Sequence, residues 1–238
     1  MSTTSVFIRI VTSNATNALL SALAARFEAR TGLRVAIEHD SAKTLLARIE
    51  AGERADVAVL NAPHVERLVG LGILEAARPF ARSLIGVAVR KGEPHPDVST
   101  VDALRAALLG ARAIAHTVHG ASGMYVPELL RRLGIADAMK ARIVTRPGGL
   151  IAKVVEAGEA DIAIQQISEL LAVPGVEVVA PLPDAVQKTL ESAAAIFTGT
   201  PRRAAAEGWL RFFQSPEAAG LFQEKGLEAA GCSNGAVR

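Results

Sequence analysis

The chain has 238 residues, 50% of them hydrophobic, which is enough for one large core or two modest ones. Its 26 basic and 24 acidic residues leave a formal net charge of +2 and form no basic block. With few aromatic side chains for base stacking, nucleic acid is excluded as a partner. The one cysteine, Cys232, lies in a small polar tail and cannot form an internal disulfide. A β-branched run at residues 6–12 predicts the first strand. Arg9 interrupts it, so it does not read as an export signal. The expectation is a cytoplasmic chain, or a periplasmic one if a leader has been removed. No apolar run is long enough to span a membrane.

The next segment, residues 15–30, places Leu19, Leu20, Leu23 and Phe27 on one helical face and stops at Gly32. A strand at 34–38 follows. Ser41 then caps a helix presenting Leu45, Leu46 and Ile49. Residues 55–60 read as a strand, and Pro63 opens a short helix. Further strands are predicted at 83–89, 113–116, 143–145, 161–165, 176–179 and 193–197. Helices are predicted after Thr100, over 122–133, from Gly148-Gly149 to about 157, and after Thr200-Pro201 and Ser215-Pro216.

Strands alternating with helices predict an α/β fold with mainly parallel sheets and helices on both faces. In such sheets ligands sit beyond the carboxyl ends of the strands. The segments expected there are Thr12-Ser13-Asn14, His39-Asp40-Ser41, Leu60-Asn61, residues 116–122 and Gln165-Gln166, all rich in small polar groups. No His, Cys and carboxylate spacing suggests a metal, and neither a nucleophile elbow nor a phosphate-binding P-loop is present, so no cofactor is expected.

Five segments, in order, carry a resemblance. The run Thr12-Ser13-Asn14-Ala15-Thr16-Asn17-Ala18-Leu19 resembles the opening of molybdate-binding proteins. Residues 49–60 (IEAGERADVAVL) and 154–164 (VVEAGEADIAI) are similar to matching segments of their two lobes. His119-Gly120-Ala121-Ser122-Gly123-Met124-Tyr125 resembles the helix start that closes their anion site, and residues 212–222 are also similar. The resemblance implies a two-lobed type II periplasmic-binding-protein fold with two crossover strands and a ligand cleft between the lobes. Lobe one would be 1–82 with 194–238, and lobe two 83–193.

The resemblance also implies an anion held by hydroxyls and backbone N–H groups at helix N-termini, as the helix dipole favours. The expected ligand-binding residues are Ser13, Asn14, Ser41, Lys43, Asn61, Ser122, Arg146, Gly148, Gly149 and Gln166. Ser41 is equally explained as a helix cap, Lys43 and Arg146 as surface charges, and the two glycines as a tight turn. Asp40-Ser41-Ala42-Lys43 stands where the family has a serine-rich loop, and Gln166 where it often has tyrosine. With Arg146 and His119 near the same loops, these departures favour an organic anion over molybdate itself. The resemblance extends to aconitate isomerase, which implies an alternative: an allylic proton shift on a polycarboxylate, with His119 as the base. A cytoplasmic anion sensor is the third reading. The expected partners are a small anionic ligand and, for an exported chain, an ABC permease; the chain is expected to be a monomer.

Overall fold

The computed structural model describes residues 7–230; Cys232 and its tail lie outside them. The chain divides into two compact units. The first comprises the chain up to Arg82 together with that from Glu191 onward, and the second is Ser83–Leu190.

The first unit opens with β1 (Phe7–Ser13), α1 (Asn14–Thr31), β2 (Arg34–Asp40), α2 (Ala42–Glu50), β3 (Val57–Asn61), α3 (Ala62–Gly70) and β4 (Arg78–Ser83). The second contains β5 (Ile85–Arg90), α4 (Val101–Gly110), β6 (Ile114–Thr117), α5 (Ala121–Arg132), α6 (Ala136–Met139), β7 (Ile143–Arg146), α7 (Ala152–Glu156), β8 (Ile162–Gln166), α8 (Ile167–Leu170) and β9 (Val176–Pro181). The chain then returns through β10 (Leu190–Ile196) and ends with α9 (Arg203–Phe213), α10 (Pro216–Glu224) and β11 (Glu228–Ala229).

Each unit is built on one mixed sheet. The six-stranded sheet runs β11-β4-β10-β3-β1-β2 and the five-stranded sheet runs β7-β6-β8-β5-β9. In both, the trio at one end of the sheet is parallel: β1 with β2 and β3, and β6 with β7 and β8. Antiparallel strands continue each sheet on the other side: β10 beside β3, and β5 between β8 and β9.

Period-two alternation decides which helix covers which face. Ile8, Ile10, Val57 and Val59 point to one side of the first sheet, where Leu19, Leu23 and Phe27 of α1 meet Trp209, Phe212 and Phe222 of the closing helices. Phe27 packs edge-on against Trp209 with ring centroids 5.3 Å apart. Val11, Ala58 and Leu60 point the other way, to Leu45 and Ile49 of α2 and Val65 and Leu68 of α3. In the second unit Ile114, Ile162 and Ile164 face α4 and α5, whereas Ala115 and Ala163 face α7 and α8. Burial of each large aliphatic side chain stabilises the fold by roughly 1.5–3 kcal/mol.

Three expected boundaries move. The strand expected at 83–89 is β5, and a further strand, β4, precedes it. The helix expected from Gly148-Gly149 begins only at Ala152, because Gly149 adopts φ 84°, which breaks helical geometry. The helix expected after Thr200-Pro201 begins at Arg203. The Thr200 hydroxyl is engaged by the Asp56 carboxylate and by the Arg202 N–H, which makes this segment a turn.

Candidate functional site

In the first unit the register aligns Ser13 with Asp40 and Thr12 with Val59, so β1, β2 and β3 end level with one another. Each runs directly into a helix, and Ser13, Ser41 and Asn61 are the residues that begin α1, α2 and α3. Three helix N-termini therefore open at one sheet edge, each with unpaired N–H groups and a positive dipole end.

The side chains at this edge are not equally available. Ser41 is a working cap: its Oγ accepts the Thr44 N–H at 3.2 Å and lies 2.8 Å from the Thr44 hydroxyl. Thr12 is also committed, its hydroxyl lying 2.6 Å from that of Thr16 and donating to the Val59 carbonyl at 3.1 Å. The Asn14 side-chain oxygen lies 3.0 Å from His39 Nδ1. By contrast, Ser13 makes no capping bond, and its Oγ is buried without a partner. Asn61 makes no capping bond, and Lys43 stands exposed on the first turn of α2.

The second unit repeats the scheme with a looser start. Thr117 pairs with Arg146, and Ile114 with Ile162. Beyond Thr117 the pairing continues: the Val118 N–H donates to the Arg146 carbonyl at 2.8 Å and the His119 N–H to the Pro147 carbonyl at 3.1 Å. Gly120 then caps α5. A Cβ at Gly123 would lie 1.8 Å from the Thr117 carbonyl oxygen, and one at Gly120 would lie 2.4 Å from the Thr117 hydroxyl. Two glycines thus let the helix start lie directly on the strand end. The Thr117 and Ser122 hydroxyls are both buried without a partner. His116, beneath them, has its basicity lowered chiefly by burial, and its Nδ1 lies 2.9 Å from the Thr117 carbonyl oxygen.

Gln165 ties down the loop after β7. Its amide donates to the Gly149 carbonyl at 2.8 Å and accepts the Ile151 N–H at 2.9 Å. Gln166 starts α8 and donates to Glu169 Oε2 at 3.3 Å. Burial pushes Glu169 up to about 8, with bonds from Gln166 and Gln165 acting the other way, so at neutral pH it is an uncharged carboxylic acid. Ser168 adds another buried hydroxyl without a partner. Arg146 is exposed and its guanidinium is 2.6 Å from Glu159, so its charge is largely offset. His119 is exposed on the loop before α5.

Ser13, Asn14, Ser41, Lys43 and Asn61 thus share one sheet edge, and Ser122, Arg146, Gly148, Gly149, Gln166 and His119 share the corresponding edge of the other unit. Thr117, Gln165, Ser168 and Glu169 were not singled out as site residues. The signal for Thr117 was the Gly120-x-x-Gly123 spacing just after it. For Glu169, an acid in a short polar turn reads as solvated. A cavity of about 480 Å³ lies at the opposite end of the second sheet, lined in part by Arg90, Pro94, Arg112 and Asp161, and none of these candidate residues borders it. Among the described residues, no three His, Cys, Asp or Glu side chains converge as a metal site.

The sequence profile of the bacterial extracellular solute-binding proteins matches residues 8–228. The chain belongs to that family. Among solute-binding relatives, the molybdate-binding protein of Escherichia coli strain K12 is 28% identical over 222 residues, covering 89% of this chain and 84% of that protein. An aconitate isomerase from a Pseudomonas species is 29% identical over 229 residues, covering 93% of this chain and 87% of the enzyme. The periplasmic molybdate-binding protein of Azotobacter vinelandii shares the fold with a TM-score of 0.78 at 21% identity, covering 92% of this chain and 98% of that one.

Proposed function

We propose that this solute-binding protein takes a small oxyanion or carboxylate through the helix N-termini and hydroxyls at the carboxyl ends of its parallel strands. One observation carries the reading: of the six buried side-chain polar atoms without a partner among the described residues, four are the hydroxyls of Ser13, Thr117, Ser122 and Ser168 at those strand ends, the other two being Trp209 Nε1 and Ser215 Oγ. Leaving a buried polar group unpaired costs about 1–3 kcal/mol, so several together at one kind of location mark donors kept for a ligand. Uncharged donors and N–H groups suit an anion, because the dipole contributes attraction without a counter-charge that would itself need desolvation. Export from the cytoplasm and delivery to an ABC permease follow from the family as further parts of the proposal.

The test is a thermal-shift series with molybdate, sulfate, citrate and both aconitates. A ligand at about a hundred times its Kd stabilises the native state by roughly 2.7 kcal/mol and raises the melting temperature accordingly. A flat response to all five would remove the anion reading.

The aconitate isomerase relative favours a second reading, in which the chain moves an allylic proton of a polycarboxylate. A base would take a proton from one carbon and return it to the other end of the allylic system. His119 is the candidate, exposed on the loop that leads into α5. Ultraviolet absorbance of cis-aconitate should then change with time in the presence of the protein and stay constant with His119→Ala. Absence of any change with the unaltered chain ends this reading and leaves binding intact.

A further inference from the structure

We infer that Glu169 is a positioning residue: buried against the amide of Gln166, it keeps the second unit's donors set for an anion, and loss of its proton releases that anion. The inference rests on the anion-binding reading above and concerns how that binding is regulated.

The geometry links Glu169 to both neighbouring loops. Gln166 donates to its Oε2 at 3.3 Å, and Gln165 is the preceding residue of the same strand. Gln165 in turn holds the Gly149 carbonyl and the Ile151 N–H, which fixes the loop carrying Gly148 and Gly149. The unpartnered Ser168 hydroxyl is the adjacent residue. A change at Glu169 therefore acts on Gln166 directly and, through the adjoining Gln165, on the Gly148-Gly149 loop.

Among the described residues, no cation pairs with the Glu169 carboxyl. The helix α8 packs on β5, β8 and β9. Strand β8 has no charged residue, and the charges of β5 and β9 are Arg90 and Glu177. Arg90 pairs with Glu93 and Glu177 with His95, and the register puts both several residues down the sheet from Gln166. The α7 helix, which shares an apolar cluster with Leu170, carries Lys153 and Glu156, both exposed. Glu169 itself is 8% exposed. A carboxylate there would be an unpaired buried charge in the unit that receives the proposed anion, repelling it and pulling the Gln166 amide toward itself. By linkage a bound anion holds the proton on Glu169, so affinity falls as pH rises through its titration.

The experiment is calorimetric titration of molybdate and of cis-aconitate into the full chain from about pH 7 to about pH 9.5, where neither probe changes charge, with Glu169→Gln as the comparison. The expected result is a wild-type Kd that weakens toward tenfold per pH unit above the midpoint and a flat Kd for Glu169→Gln, whose amide keeps the uncharged shape. A wild-type Kd that does not change, or a variant that keeps the wild-type slope, overturns the inference. Should neither probe bind, the titration moves to whichever of the five anions gives a thermal shift; if none does, the functional reading fails, and the ligand-free chain still decides this one. The Ile151 backbone amide and the two glutamine side-chain amides should then shift in NMR spectra with one common midpoint in the wild type and not in Glu169→Gln. Shared behaviour of the two proteins would sink it.

Discussion

The two units solve the same problem, a parallel strand running into a helix, with opposite treatment of two matched polar side chains. In the first, the chain passes from β1 to α1 without a loop, and the strand-end Thr12 finds both Thr16 and the Val59 carbonyl. In the second, three residues separate β6 from α5, and the strand-end Thr117 is left without a partner under two glycines. The Ala-Asp pairs preceding β3 and β8 repeat the contrast. Asp56 is buried and accepts from the Arg9 N–H at 2.7 Å and the Thr200 hydroxyl at 2.5 Å, with Arg202 at 3.5 Å. Asp161 is half-exposed and serves mainly Arg112. At these two matched positions the first unit closes its polar groups on buried partners, whereas the second leaves the threonine open and the aspartate half-exposed.

The largest expected effect that sharpens this contrast is on the pH dependence of stability. Glu169 moves from 4.5 in the unfolded chain to about 8 in the folded one, so between those values unfolding releases a proton. Its contribution is fully unfavourable above the folded value and absent below the unfolded one. Stability should therefore fall by up to about 1.4 kcal/mol per pH unit across that window, and Glu169→Gln should flatten the slope in denaturant titrations at several pH values. Next in size is Asp56→Ala, expected to cost about 3–5 kcal/mol because it strips partners from a buried network, against about 1 kcal/mol for Asp161→Ala. Equal losses in urea denaturation would erase the asymmetry between the units. At the level of ligand, Ser122→Ala should weaken the binding of whichever anion gives a thermal shift by roughly tenfold, as loss of one hydrogen bond to a charged partner requires. Ser13→Ala sets the corresponding value for the first unit. Smallest is Ser41→Ala, a lost cap costing about 1 kcal/mol of stability with little change in affinity. A large change in affinity there would mean that Ser41 reaches the ligand despite its bond to Thr44.

Most of the fold was legible because its strands alternate plainly. Ile162-Ala163-Ile164 and Val57-Ala58-Val59 announce strands buried on both faces, and Ser41 and Ser215 announce their helices. Strand β4 was not legible: Arg78-Pro79-Phe80-Ala81-Arg82-Ser83 carries a proline and two arginines, and only its neighbours β10 and β11 make it a strand. The α8 helix is four residues long, too short for a periodic signal. The candidate site was legible where helix starts follow strands, as at Ser13, Ser122 and Gln166. The state of its groups was not, since the tie between Arg146 and Glu159 and the burial of Glu169 depend on packing that local sequence does not encode.

Neighbouring strands β4 and β10 belong to one sheet, and the Ser192 hydroxyl donates to the Ala81 carbonyl at 3.2 Å across 111 positions of sequence. Everything between them is the second unit, so the first cannot complete its sheet until β10, Leu190–Ile196, has been synthesised. The inserted half, whose strands all lie within 85–181, has no such wait. During vectorial synthesis the later-starting half is therefore the earlier to finish, and the amino-terminal strands stay unpaired on one edge in the interval, which is the period in which a nascent chain of this design most needs chaperone protection.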